Sequence, residues 1–169
     1  HLLNFFYDPY NLFYLKGEWK LLEIKKAKIE DAQLITDIKT KAYNKEINTY
    51  LGRNGGPPGY DKVESEIDII KKFIAYKIQL DNQIIGALFL ISLADSKMRF
   101  EDFVIHPSFQ GKGYGYIVME LIEKTYPHIN EWQLSTPVFS IGNQHLYKKF
   151  DYVEVSRSED EIEYIKKIQ

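Results

Sequence analysis

The chain has 169 residues, of which 44% are hydrophobic and 27% charged, with a net charge of −2 and no cysteine. Its length suits one domain with its own core and is short for two. The missing cysteine excludes disulfides, thiolate metal sites and a cysteine nucleophile, and the near-neutral charge argues against nucleic acid as a partner. The four histidines (His1, His106, His128 and His145) lack close metal-ligand spacing, so no metal is expected. No apolar run reaches the length of a membrane-spanning helix. These features together suggest a soluble protein, expected in the cytoplasm and without a membrane partner.

Residues 1–20 are expected to form an extension ahead of a domain over residues 21–169. His1 is not a natural start and suggests a tag, a processing event or a truncation. The aromatics Phe5, Phe6, Tyr7, Tyr10, Phe13 and Tyr14 are interrupted by Asp8-Pro9. The stretch lacks the basic start and unbroken apolar core of a signal peptide. Its expected role is packing, on the domain or on a second copy in a homodimer.

Residues 21–27 alternate in polarity and predict a first strand. Residues 29–43 carry Ala32, Leu34, Ile35, Ile38 and Ala42 at helical spacing, with Lys28 as a poor cap. The glycine- and proline-rich run over residues 54–59 predicts a stiff loop, and residues 62–71 a second helix. Residues 73–80 and 83–92 flank Asp81-Asn82, the pattern of a two-residue hairpin. A strand over 98–106, a helix over 113–126, a strand over 132–136, a helix over 143–150 and a closing antiparallel pair over 152–156 and 162–168 complete the chain. The order β-α-α-β-β-β-α-β-α-β-β is that of a mixed α/β layer.

The most informative segment is Gln110-Gly-Lys-Gly-Tyr-Gly115. It lies between a strand ending in His106-Pro107 and an amphipathic helix, an arrangement that gathers backbone N–H groups at a helix N-terminus and suits a phosphate. Gly111, Gly113 and Gly115 let the main chain approach an anion closely, and Lys112 adds positive charge. A P-loop would need Ser or Thr after a Gly-Lys pair, and a dinucleotide fingerprint would need Gly-x-Gly-x-x-Gly. The sequence offers neither. It meets the pattern Gln/Arg-x-x-Gly-x-Gly/Ala through Gln110, Gly113 and Gly115.

That loop resembles the pyrophosphate loop of the GNAT family, the GCN5-related N-acetyltransferases. A second segment, with Asn143, Tyr147 and Tyr152, is similar to the family's C-terminal helix and the strand that follows. Asp151 replaces the usual Gly there and tolerates a left-handed turn. The resemblance covers residues 21–169. It implies the GNAT fold, a single α+β domain with a central, mostly antiparallel twisted sheet flanked by helices. It implies acetyl-coenzyme A as co-substrate, without a metal, and a primary amine of a small molecule as acceptor, attacking directly in a ternary complex.

Carried over residue by residue, the resemblance implies that Gln110, Gly111, Lys112, Gly113, Tyr114 and Gly115 hold the diphosphate. The backbone of Phe103, Val104 and Ile105 would meet the pantetheine arm and polarise the thioester carbonyl. Tyr147 is the implied acid for the leaving thiolate. Asn143 would bond the arm or cap its helix. Glu101 is favoured over Asp102 as base because alternation groups it with Phe103 and Ile105; His106 and His145 are rivals. Arg53 and Tyr60 fall where the family places its acceptor wall. Two other readings compete with an enzyme: an acetyl-coenzyme A sensor of the same fold without turnover, and an unrelated interaction domain using aromatic residues 5–14.

Overall fold

The computed structural model describes residues 12–169, so the aromatic residues ahead of Leu12 lie outside the described part. The strands β1 (Leu12–Leu15) and β2 (Glu18–Lys26) form a hairpin across Lys16 and Gly17, both at positive φ. The expected boundary after residue 20 therefore falls inside β2, and residues 12–20 belong to the sheet. Phe13 is buried, its ring 5.7 Å edge-on from that of Tyr114.

The first long helix begins without a side-chain cap from Lys28. The backbone N–H of Lys28 instead donates to Asp31 Oδ2 at 2.7 Å, and a 3₁₀ turn at Ile29–Asp31 leads into α1 (Ala32–Leu51). Lys77 Nζ bridges both Asp31 oxygens at 2.9 and 3.0 Å. Helix α1 passes its expected end at Tyr43 and stops at Gly52, whose φ of 67° is a left-handed stop. Helix α2 follows (Val63–Lys72), then the hairpin β3 (Ile74–Leu80) and β4 (Gln83–Ala94), turned by Asp81 and Asn82 at φ 49° and 67°. Asp and Asn take this conformation more readily than other side chains.

The rest of the chain runs β5 (Lys97–Ile105), α3 (Tyr114–Thr125), β6 (Glu131–Pro137), α4 (Ile141–Lys149), β7 (Val153–Arg157) and β8 (Glu161–Lys167). Asp151, which follows α4, takes φ 67°. Among the described residues the sheet has eight strands in the order β1-β2-β3-β4-β5-β6-β8-β7. Each neighbouring pair is antiparallel except β5 with β6, whose parallel register joins Lys97, Met98 and Arg99 to Glu131, Trp132 and Gln133 and extends no further. The expected mixed α+β domain is the one observed.

Apolar side chains gather in two clusters. The larger joins α3, through Ile117, Val118, Met119 and Ile122, to strand residues including Leu22, Ile85, Leu88 and Trp132. The smaller joins Ile38 and Ala42 of α1 to Ile84 and Val104. Ile84 and Ile85 are consecutive on β4 yet fall in different clusters, one on each side of the sheet.

Candidate active site

The site starts from an irregularity in β5. Ala87 pairs with Val104 and Phe89 with Glu101, which leaves Leu88 opposite both Asp102 and Phe103. Two residues against one is a β-bulge, and it bends the strand. Asp102 takes φ 55° there. With the parallel ladder ending at Arg99, the bulged half of β5 parts from β6. The resulting cleft has a volume of about 500 Å³ and is lined by α1, residues 103–105, the loop before α3 and the start of α4.

The bulge is anchored to the helices by charge. Lys39 Nζ donates to both Glu66 of α2 and Asp102, and the Tyr43 hydroxyl donates to the other Asp102 oxygen. Lys39 is 2% exposed and Glu66 4%. Burial pushes the Glu66 carboxyl upward against the pull of the Lys39 ammonium. Burial, and then the Asp102 charge, keep the Tyr43 phenol well above its usual range, so it remains a donor. Tyr43 also lines the cleft. Tyr60 packs edge-on behind it, ring centroids 5.9 Å apart, with its hydroxyl donating to Asn44 Oδ1 at 2.8 Å.

The loop over residues 110–115 turns on Gly111 and Gly113, at φ 73° and 85°. A side chain at either would be strained in this left-handed conformation. Gly115 serves packing instead: an added Cβ would stand 3.1 Å from Leu146 of α4. The first helical bond runs from Ile117 N–H to the Gly113 carbonyl at 3.4 Å. The N–H groups of the preceding residues of α3 have no helical partner, and with the helix dipole they favour an anion. Gln110 ties the loop down by donating to the Ile105 carbonyl at 2.8 Å and accepting from Lys45 Nζ at 3.2 Å.

Phe103, Val104, Ile105, Gln110, Gly111, Gly113, Gly115 and Asn143 come together as lining of this cleft. Asn143 is not the helix cap, since Ser140 precedes α4; its amide donates to Thr136 Oγ1 at 3.3 Å. Tyr147 is set behind the lining, 5% exposed. Burial, and then the charges of Glu46, Tyr164 and Glu101, raise its phenol, so it stays protonated.

The other expected residues lie elsewhere. The bulge breaks the alternation that grouped Glu101 with Phe103, and Glu101 instead accepts from Arg99 Nε at 2.6 Å. The same guanidinium bonds Glu163 at 2.9 Å and Ser135 at 3.0 Å. Lys112 turns back to the Ser108 carbonyl at 3.2 Å and over the Phe109 ring. Tyr114 is core, 3% exposed. Arg53, just past α1, and Tyr60 are both outside the lining. His106 Nδ1 accepts from Ser108 N–H at 3.0 Å, and burial followed by the Lys41 charge lowers its pKa. His145 is exposed on α4.

Lys45, Glu46, Thr49 and Tyr50 also line the cleft and were missed because the helix was expected to end at Tyr43. Gly52 was the available signal: a glycine stop there keeps Ala42, Tyr43, Glu46, Thr49 and Tyr50 on one helical face.

Comparison with known proteins agrees with this geometry. A family model described as an acetyltransferase (GNAT) domain matches residues 71–154. No curated protein matches the chain at a significant level. Among solved structures, the PaiA N-acetyltransferase of Thermoplasma acidophilum in complex with coenzyme A is 18% identical, with a TM-score of 0.74 over 87% of this chain and 99% of its own. The ribosomal alpha-N-protein acetyltransferase RimL in complex with coenzyme A is 14% identical, with a TM-score of 0.69 over 87% and 94%. A spermidine N-acetyltransferase SpeG chimera from Vibrio cholerae and hSSAT is 16% identical, with a TM-score of 0.66 over 86% and 95%. At these identities the likeness is one of fold, while the family model reaches the loop and the start of the last strand pair. The chain belongs to the GNAT family of acetyltransferases and is an acyltransferase.

Proposed function

We propose that the protein transfers an acetyl group from acetyl-coenzyme A to a primary amine of a small molecule, by direct attack in a ternary complex. The observation that carries this reading is the cleft itself: a left-handed glycine loop at the head of α3 opens onto the unpaired edge of β5. The residues present fit the co-substrate. The N–H groups of residues 111–116 suit its diphosphate, and Lys45 supplies the cation in that part of the lining. The edge of Phe103, Val104 and Ile105 suits an extended arm, since a strand without a neighbour offers its N–H and C=O groups to an extended guest. One of those N–H groups would stabilise charge building on the thioester oxygen.

Tyr147 is the proton donor in this reading. Its raised pKa keeps the phenol protonated at neutral pH, and the departing thiolate has a conjugate acid near pKa ~8.5, so a donor eases its exit. The acceptor follows by analogy with the similar folds, which include a spermidine N-acetyltransferase as well as a protein acetyltransferase.

Titration calorimetry with coenzyme A tests the loop, and thiol release with a panel of amines tests turnover. Binding in the wild type should be lost in Gly113→Glu, which places bulk and negative charge at a left-handed position in the anion site. Retained affinity in that variant would remove the loop from the reading. Binding without thiol release would leave a coenzyme sensor rather than an enzyme.

A further inference from the structure

We propose that Glu46 is the acceptor-side catalytic residue: its carboxylate receives the ammonium of an alkylamine and takes a proton from it as the amine attacks. The inference rests on the acetyltransferase reading above and adds the group that would select and activate the acceptor.

Glu46 is the one carboxylate among the described residues that line the cleft. It has no ion-pair partner among the described residues, although the chain is rich in such pairs elsewhere. A half-buried carboxylate without a cation is an electrostatic vacancy that a cationic ligand would fill. The side chain is also aimed. Oε1 accepts from Ser140 Oγ at 2.6 Å, and Ser140 is 1% exposed. That bond fixes one oxygen and leaves the other for a guest. Ser140 spends its hydroxyl on Glu46 instead of on the N-terminus of α4, which has no side-chain cap.

The surroundings suit an alkylammonium. Tyr43 lies one turn before Glu46 on α1 and Tyr50 one turn after it, and both line the cleft. Tyr50 packs on Phe139 with ring centroids 5.6 Å apart. Aromatic faces beside a carboxylate attract organic cations. Lys45, also in the lining, is turned to Gln110 at the anion end, so the cleft is positive toward the loop and negative at Glu46. Tyr147 follows the lining residues Asn143 and Leu146 on α4, and burial and then the Glu46 charge raise its phenol. Glu101, the carboxylate expected from sequence to be the base, is occupied by Arg99.

An alkylammonium, pKa about 10.4 in water, gives one proton to Glu46 and becomes a neutral amine. The amine nitrogen forms a bond to the thioester carbon, and the carbon–sulfur bond breaks. The thiolate takes the Tyr147 proton, and the nitrogen loses its second proton to the Tyr147 phenolate. Glu46 then releases its proton to solvent, so each turnover yields an amide, a thiol and one free proton.

Glu46→Gln is the test, because the amide keeps an oxygen for Ser140 while losing charge and basicity. Coenzyme A affinity is measured by calorimetry in parallel, and thiol release is followed with 1,4-diaminobutane and with aniline, which is uncharged at neutral pH. The wild type should favour the diamine. The variant should bind coenzyme A as before and lose kcat/KM for the diamine by roughly 100-fold, the usual scale for one proton-transfer group, with a clearly smaller loss on aniline. Undiminished diamine turnover in the variant, an equal loss on both amines, or a wild type that prefers aniline would overturn the assignment. Absence of coenzyme binding in the wild type would instead overturn the acetyltransferase reading beneath it.

Discussion

Asp102 shows how much can rest on one residue. It accepts the φ of the bulge, binds Lys39 and Tyr43, and so joins β5 to both α1 and, through Glu66, α2. Lys39 is the only cation in this buried set. Lys39→Met should cost about 3–5 kcal/mol, because two carboxylates are left without their partner. Urea unfolding at neutral pH measures this, and a loss under 1 kcal/mol would mean that the cluster is dispensable. In the sequence, Lys39 falls inside the run expected to be helical, residues 29–43, with nothing to mark it as buried. Its burial became visible only once the bulge brought Asp102 over it, and a left-handed residue inside a strand has no sequence signature beyond the Asp itself. Glu101 was misplaced for the same reason, since alternation holds only where the pleat is regular.

At the scale of elements, the start of α1 makes a specific case. Burial alone would raise the Asp31 carboxyl, but the Lys77 ammonium and the Lys28 N–H hold it below the usual carboxylate range. A carboxyl depressed by folding contributes stability that is complete above its unfolded pKa and fades as pH falls through the folded value. Asp31→Asn should therefore lose about 1.5–3 kcal/mol at pH 7, the range for hydrogen bonds to charged groups. The gap from wild type should close as pH falls below about 4. Chemical unfolding of both proteins at pH 7 and pH 3 gives the comparison, and a gap independent of pH would contradict the charge argument. Elements with strong periodicity were legible: the Asp81-Asn82 hairpin, α3 and the final strand pair all lie within two residues of expectation. β1 was not, because its four residues follow a dense aromatic stretch that has no polar alternation. The end of α1 was lost because nothing between Tyr43 and Leu51 breaks a helix, and only Gly52 stops it.

Among the described residues the eight-stranded sheet divides into two parts, β1 to β5 and β6 with β8 and β7, whose backbones pair through three parallel residue pairs. Side chains reinforce that joint: Trp132 is fully buried, 5.2 Å from Phe100 and 6.3 Å from Tyr126 between ring centroids. The loop motif was legible because its chemistry is local. The cleft was not, because it arises where two strands stop pairing, and pairing is a property of the folded sheet. Coenzyme A should slow deuterium uptake at residues 103–105 and 111–116 while leaving the β3–β4 hairpin unchanged. Uniform slowing, or none at these positions, would place the ligand elsewhere.

The short seam between the half-sheets has a further consequence. A guest lying in it would act as a missing rung between the parted strands, and whatever binds only the folded form opposes unfolding by mass action. Resistance to proteolysis would then rise and fall with the supply of the acyl carrier, so the protein's own lifetime would report the abundance of the compound it consumes.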